Sequence, residues 1–301
     1  MHIALIGYGE VGRILAEDLR AAGHGVCAFD LKLQSAAGAA LREHAALHGV
    51  ALAASHALAV AGAELVISAV TASQTVAVAE ACAPGLAAQA FFLDFNSASP
   101  GGKLSAARVV NAAGGRYVEG AVMTSVPPHR IRVPLLLGGP DAAALKPLLD
   151  ELGFAATVHS DQLGVASATK MCRSVMIKGL EAMVIESFTT TRRYGVEDAV
   201  IASLQETFPG IDWEKQGTYF FQRVIEHGRR RSEEVREVAV TVREAGLVPH
   251  SAAGTAERQA HIADLGDAGV FGTRGEAGFA RSPDWRTEAD RILAAMNKAP
   301  P

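Results

Sequence analysis

The chain has 301 residues, longer than most single domains, and its 49% apolar and 20% charged composition allows a large buried core. A net charge of -4 gives no electrostatic reason to expect a nucleic acid or an anionic membrane as partner. No uninterrupted apolar stretch reaches the about 20 residues of a transmembrane helix, and the N-terminus lacks a charged leader and apolar core, so a cytoplasmic chain is expected. Cys27, Cys82 and Cys172 lie far apart in apolar segments, which predicts three buried, reduced thiols. The ten histidines show no metal-ligand spacing such as H-E-x-x-H, so no metal is expected.

The apolar run Ile3–Ile6 predicts a strand and leads directly into Gly7-Tyr8-Gly9-Glu10-Val11-Gly12. Val11, Ile14, Leu15 and Leu19 then fall at helical spacing on one face, with Gly23 closing the helix. This strand, glycine turn and helix is the arrangement that seats a dinucleotide pyrophosphate on a helix N-terminus. Gly7 would permit the turn, Gly9 would admit phosphate, and Gly12 would let helix and strand pack closely. A second strand, Val26–Asp30, ends on an acid placed to bind the adenosine ribose. Asp30 favours NAD over NADP, and Glu10 inside the turn offers an extra phosphate no help. Lys32 weakens that preference, so NADP stays open.

Further strands are expected at Leu65–Val70, Phe91–Asp94, Arg116–Val118, Pro134–Leu137 and Ala155–Val158. Helices between them would begin near Ser35, Ser73, Lys103 and Asp141. Alternation of this kind predicts βαβ units, hence a Rossmann-type, mostly parallel sheet within residues 1–160. Ligands of such sheets bind beyond the carboxyl ends of strands, which marks four tips: Gly7–Gly12, Asp30, Val70–Ser73 with Thr71, and Asp94–Ser97 with Asn96.

After residue 160 the strand-like runs stop. Helices are expected at Asp161–Arg193, Val196–Thr207, Trp213–Ala245 (with a break left open), His250–Asp267 and Thr287–Asn297. The fold class is therefore α/β followed by an all-α domain over residues 161–301, linked by one long helix. That helix carries Lys170, Ser174 and Lys178 at i, i+4 and i+8, flanked by Arg173, with Glu181 one turn beyond. A solvated stripe is the alternative reading. Small residues from Gly164 to Thr169 and apolar neighbours around Lys170 favour a functional one, because partial burial suits a lysine to proton transfer.

Together these motifs resemble the 3-hydroxyacid dehydrogenase family, in particular its 6-phosphogluconate dehydrogenase-like NAD-binding branch with a divergent C-terminal domain. Asp94-Phe95-Asn96-Ser97-Ala98-Ser99-Pro100 is similar to the family's D-x-S-T-x-x-P, and Glu119 to Ser125 occupies the place of its substrate loop. Gly164 to Ser174 is similar to its G-x-G-x-x-x-K-x-x-x-N. The resemblance covers residues 1–195 and implies hydride transfer between a nicotinamide cofactor and a small hydroxy acid or its carbonyl partner, with Lys170 as general acid/base. Two departures stand out: Met123 replaces the substrate-loop serine, leaving Thr124 or Ser125 to substitute, and Ser174 replaces the asparagine. Arg173 or Lys178 would clamp a substrate carboxylate. The altered loop keeps an imine reductase as the alternative, and a non-catalytic nucleotide-binding protein as another. Retention of Lys170 argues against imine reduction.

Other features carry less. His250 opens a predicted helix and is a further substrate-contact candidate. Arg229-Arg230-Arg231 reads as a solvated, charge-alternating face, and Gly266–Gly278 as a mobile flap or a plain loop. The apolar content of the helical domain predicts a homodimer.

Overall fold

A computed structural model describes residues 1–276 and 278–297. The chain divides into two compact units, Met1–Met171 and the residues from Cys172 onward.

The first unit is built on an eight-stranded sheet: β1 (His2–Ile6), β2 (Gly25–Phe29), β3 (Ala51–Leu52), β4 (Leu65–Ser68), β5 (Phe91–Asp94), β6 (Arg116–Val122), β7 (Leu135–Gly138) and β8 (Ala156–Ser160). Its order is β3-β2-β1-β4-β5-β6-β7-β8. Only the β6–β7 pairing is antiparallel. Helices α1 (Glu10–Ala21), α2 (Gly38–His48), α3 (His56–Val60), α4 (Thr75–Cys82), α5 (Pro100–Ala112) and α6 (Ala142–Glu151) connect the strands. The period-2 geometry of β1 sends Ile3 and Leu5 into one core and Ala4 and Ile6 into another, on the opposite face of the sheet. Burial on both faces explains why the strand is apolar from Ile3 to Ile6. The chain builds β1, β2 and β3 outward, then returns to place β4 on the other side of β1. That reversal opens a crevice at the carboxyl ends of β1 and β4.

Helix α7 (Val165–Tyr194) begins in the first unit and continues into the second, which also holds α8 (Glu197–Thr207), α9 (Trp213–Glu244), α10 (His250–Asp267) and α11 (Trp285–Met296). The second unit contains no strand among its described residues. Its core gathers Phe188, Phe221, Val224, Ile225, Ile262, Phe271 and Trp285. No helix among the described residues is long and apolar enough to cross a membrane.

The α/β class, the parallel sheet and the helical second half follow the reading of the sequence, with several corrections. Strand β3 and helix α3 were not anticipated; two and five residues carry too little periodicity to register. Helix α9 is unbroken over 32 residues, because Gly217 and Gly228 lie against close neighbours instead of interrupting it. Cys172 is exposed and Cys27 only half-buried, so Cys82 alone is the buried thiol expected. Arg231 is buried against Glu181, although Arg229 and Arg230 are exposed as a solvated face would have them. Within Gly266–Gly278, Phe271 is anchored in the core, while Ala277 lies outside the described residues.

Candidate active site

The glycine turn sits at the β1–β4 crevice, and its three glycines meet different surroundings. Gly7 has φ +92°, and a Cβ there would lie 2.3 Å from the Ala69 carbonyl oxygen, so only glycine lets the ends of β1 and β4 approach. A Cβ on Gly12 would lie 2.0 Å from the Gly7 carbonyl oxygen, which locks α1 against the turn. A Cβ on Gly9 would meet nothing within 4 Å. Gly9 also opens α1 without any side-chain cap. The start of α1 thus has no side-chain cap and room beside Gly9, and its first-turn N–H groups and positive dipole end suit an anion. The residues fit a dinucleotide pyrophosphate.

Asp30 follows β2 and binds the turn directly: one carboxylate oxygen accepts from Tyr8 N–H at 2.8 Å, the other from Lys32 N–H at 2.8 Å. It also caps the short 3-10 turn Leu31–Gln34. Asp30 thus fixes the backbone of Tyr8 as well as lying where the ribose is expected. The Tyr8 side chain is buried, its phenol pushed up to about 12 by desolvation, and its hydroxyl meets His44 Nδ1 at 2.9 Å.

Across the crevice, Asn96 ties the ends of β4 and β5 together. Its Oδ1 accepts from Val70 N–H at 2.7 Å and its Nδ2 donates to Ser68 Oγ at 3.0 Å. Asp94 beneath it accepts from Asn96 N–H at 2.8 Å and from the Tyr117 hydroxyl at 2.6 Å, and pairs with Lys103 Nζ at 3.0 Å. All of these side chains are buried. Burial and the Asp94 charge hold the Tyr117 phenol well above its usual range, so it remains a donor. Thr71, by contrast, is exposed and precedes the 3-10 turn Ala72–Gln74.

The start of α7 is held by the sheet. Buried Glu119 on β6 accepts from Ala166 N–H at 2.9 Å and from Ser167 Oγ at 3.0 Å, satisfying the helix's first turn from a distance in sequence. Gly138 on β7 makes room, since a Cβ there would strike Glu119 Oε1 at 2.3 Å. With the helix start fixed, Lys170 projects from the second turn and its Nζ donates to Ser97 Oγ at 2.6 Å. Both residues are half-buried. Ser97 directly follows Asn96, so the β4–β5 network positions the hydroxyl that meets the lysine.

The remaining sequence candidates fall in both units. In the first unit, Thr124 is exposed and Ser125 half-buried in the loop after β6. In the second, Arg173 and His250 are exposed, and Ser174 is buried. Lys178 is buried and pairs with Glu234 at 2.5 Å; its pKa is lowered by burial against the pull of that carboxylate. Ser97 falls in a strand tip that the sequence marked for ligand binding but was given no role of its own, and Glu119 was not a candidate. Both lie in segments whose family resemblance was visible, but their partners are 73 and 47 residues away.

Residues 2–160 match the NAD binding domain of 6-phosphogluconate dehydrogenase, and residues 192–262 match a domain of unknown function, DUF1932. The 3-hydroxyisobutyrate dehydrogenase of Drosophila melanogaster mitochondria is 25% identical over 70% of this chain and 65% of its own length. The crystal structure of a conserved hypothetical protein from Sinorhizobium meliloti is 35% identical with a TM-score of 0.76, covering 98% of this chain and 96% of that one. An imine reductase from Aspergillus terreus shares the fold at 18% identity and a TM-score of 0.56, covering 88% of this chain and 95% of that one.

Proposed function

Because the chain belongs to the 3-hydroxyacid dehydrogenase-like family, with a divergent C-terminal domain and a nicotinamide-binding first domain, we propose that it oxidises a small hydroxy acid, or reduces the corresponding carbonyl, with Lys170 as general acid/base. The observation that carries this reading is Lys170 Nζ set against Ser97 Oγ at the carboxyl end of β5, in the same unit as the uncapped start of α1.

The chemistry supplied by the bound cofactor is hydride acceptance or donation at its nicotinamide ring. The chain does the rest. The open first turn of α1 holds the pyrophosphate, and Asp30 accepts from ribose hydroxyls. Its charge would repel a 2′-phosphate, which favours NAD. Asn96 keeps the Val70–Thr71 backbone in place against the crevice. Lys170 takes the hydroxyl proton as the carbinol carbon loses hydride, and returns one in the reverse direction. The Ser97 hydroxyl orients the ammonium through their hydrogen bond. Arg173, exposed three residues further along α7, is the cation we assign to a substrate carboxylate, since Lys178 is engaged by Glu234. Thr124 and Ser125 take the place of the missing substrate-loop serine. Exposed Met176 and Met183 on α7 support a homodimer, which light scattering would report as twice the chain mass.

A panel of short hydroxy acids with NAD or NADP tests the reading. Turnover of at least one acid, faster with NAD, is the expected result. Reduction of cyclic imines by NADPH with no turnover of any hydroxy acid would replace it with an imine reductase. Cofactor binding without any turnover would leave only a nucleotide-binding protein.

A further inference from the structure

In the first unit, Glu17 of α1 and His44 and His48 of α2 bring one carboxylate oxygen and two imidazole nitrogens within 4.8 Å of one another. We propose that these three side chains bind a divalent transition-metal ion of the Zn2+ class. The proposal is independent of the reaction assigned above.

The geometry needs little adjustment. His44 and His48 stand one helical turn apart, with ring centroids 4.5 Å apart, so their nitrogens open to a common point. His44 Nε2 and Glu17 Oε1 are 2.9 Å apart in a hydrogen bond. Two ligands bonded to one zinc ion at about 2.0–2.1 Å, at tetrahedral or somewhat smaller angles, are separated by roughly 3.0–3.4 Å. Replacing the shared proton by the ion therefore moves these atoms apart by only a few tenths of an ångström. All three residues are half-buried, so an ion has a route in and water has a fourth position to fill.

The surroundings orient the ligands. His44 Nδ1 is held by the Tyr8 hydroxyl at 2.9 Å, which leaves Nε2 as its ligand atom. The second oxygen of Glu17 accepts from Arg130 at 2.7 Å, leaving Oε1 turned toward the histidines. Arg130 places a positive charge nearby, but Asp18 neutralises it at 2.7 Å, and Glu17 remains as net negative charge. His48 ends α2, where the negative end of the helix dipole favours a cation, although Arg20 already donates to the His48 carbonyl at 3.2 Å. Two imidazoles and one carboxylate select Zn2+, Ni2+, Co2+ or Cu2+ over Mg2+ or Ca2+, which prefer all-oxygen shells. Such an ion would clasp α1 to α2. Through Tyr8 it would also bear on the glycine turn.

The full chain, free of any affinity tag, would be dialysed against micromolar Zn2+, with bound metal measured by elemental analysis and the melting temperature recorded beside it. The proposal expects one Zn2+ retained per chain, undiminished by millimolar Mg2+, with a melting temperature that rises with Zn2+. His48→Gln and Glu17→Gln should each weaken retention at least tenfold, and His44→Ala should abolish it. Cys172→Ser, which removes the exposed thiol, should leave it unchanged. His48→Gln changes a half-exposed side chain on a helix that tolerates glutamine, so it reports on binding with the fold intact. Full retention in His48→Gln, loss in Cys172→Ser, or displacement by Mg2+ would each overturn the proposal.

Discussion

Helices α1 and α7 both start in the first unit, both behind a glycine, and they meet opposite fates. At α1, Gly9 supplies no cap and the space beyond it is open. At α7, the Glu119 carboxylate accepts from Ala166 N–H and Ser167 Oγ, so the protein itself answers the helix's unpaired groups. An unanswered helix start costs stability unless a ligand completes it, and an answered one cannot attract an anion. The difference separates two jobs: α1 receives, and α7 presents. On the proposed reading, one binds phosphate with its backbone. The other holds Lys170 in a fixed place against Ser97.

Substitutions at the two starts should therefore behave differently. The largest effect is expected for Gly12→Ala, whose Cβ would collide with the Gly7 carbonyl oxygen and push α1 off the turn. Chemical denaturation should show a loss of about 3 kcal/mol, with NADH binding lost as well. Glu119→Ala should follow, at about 2 kcal/mol, because it strands the buried Ala166 N–H at the start of α7 and leaves the Ser167 hydroxyl only the Gly164 carbonyl. It should lower kcat more than NADH affinity, since the lysine moves and the glycine turn does not. Glu119→Gln keeps one acceptor oxygen and should cost about half as much by the same denaturation measurement. Gly9→Ala should have the smallest effect on the fold, within about 0.5 kcal/mol, because its Cβ meets no protein atom. Yet NADH fluorescence titration should show affinity falling about tenfold or more, equal to about 1.4 kcal/mol of lost binding. If Gly9→Ala bound NADH as the wild type does, α1 would not be the receiving helix.

The sequence disclosed what repeats locally. The apolar run of β1 and the helical spacing in α10 placed those elements within a residue or two of their ends, because burial imposes those patterns on the chain itself. The glycine turn was legible for the same reason: three glycines stand at fixed spacing, and Gly7 and Gly12 each answer a nearby steric demand. Glu119 and Ser97 were not legible in their roles. A carboxylate in a strand says nothing of a helix end 47 residues later, and the Ser97–Lys170 bond exists only once β5 and α7 converge. Lys103 misled in a related way. It marked a helix start as a charged residue would, yet it lies 1% exposed against Asp94, a pairing that needs the folded sheet. The approach of Glu17 to His44 and His48 was not legible either, because it exists only once α1 packs beside α2.

The account turns on Lys170, and Lys170→Met tests it most directly. The methionine keeps most of the side chain's length and removes the exchangeable proton. Turnover of a hydroxy acid and NADH affinity would be measured on the same preparation. The account predicts NADH binding within twofold of wild type and a fall in kcat of about 10²- to 10⁴-fold, the usual worth of a positioned acid/base. Undiminished turnover in Lys170→Met would contradict it.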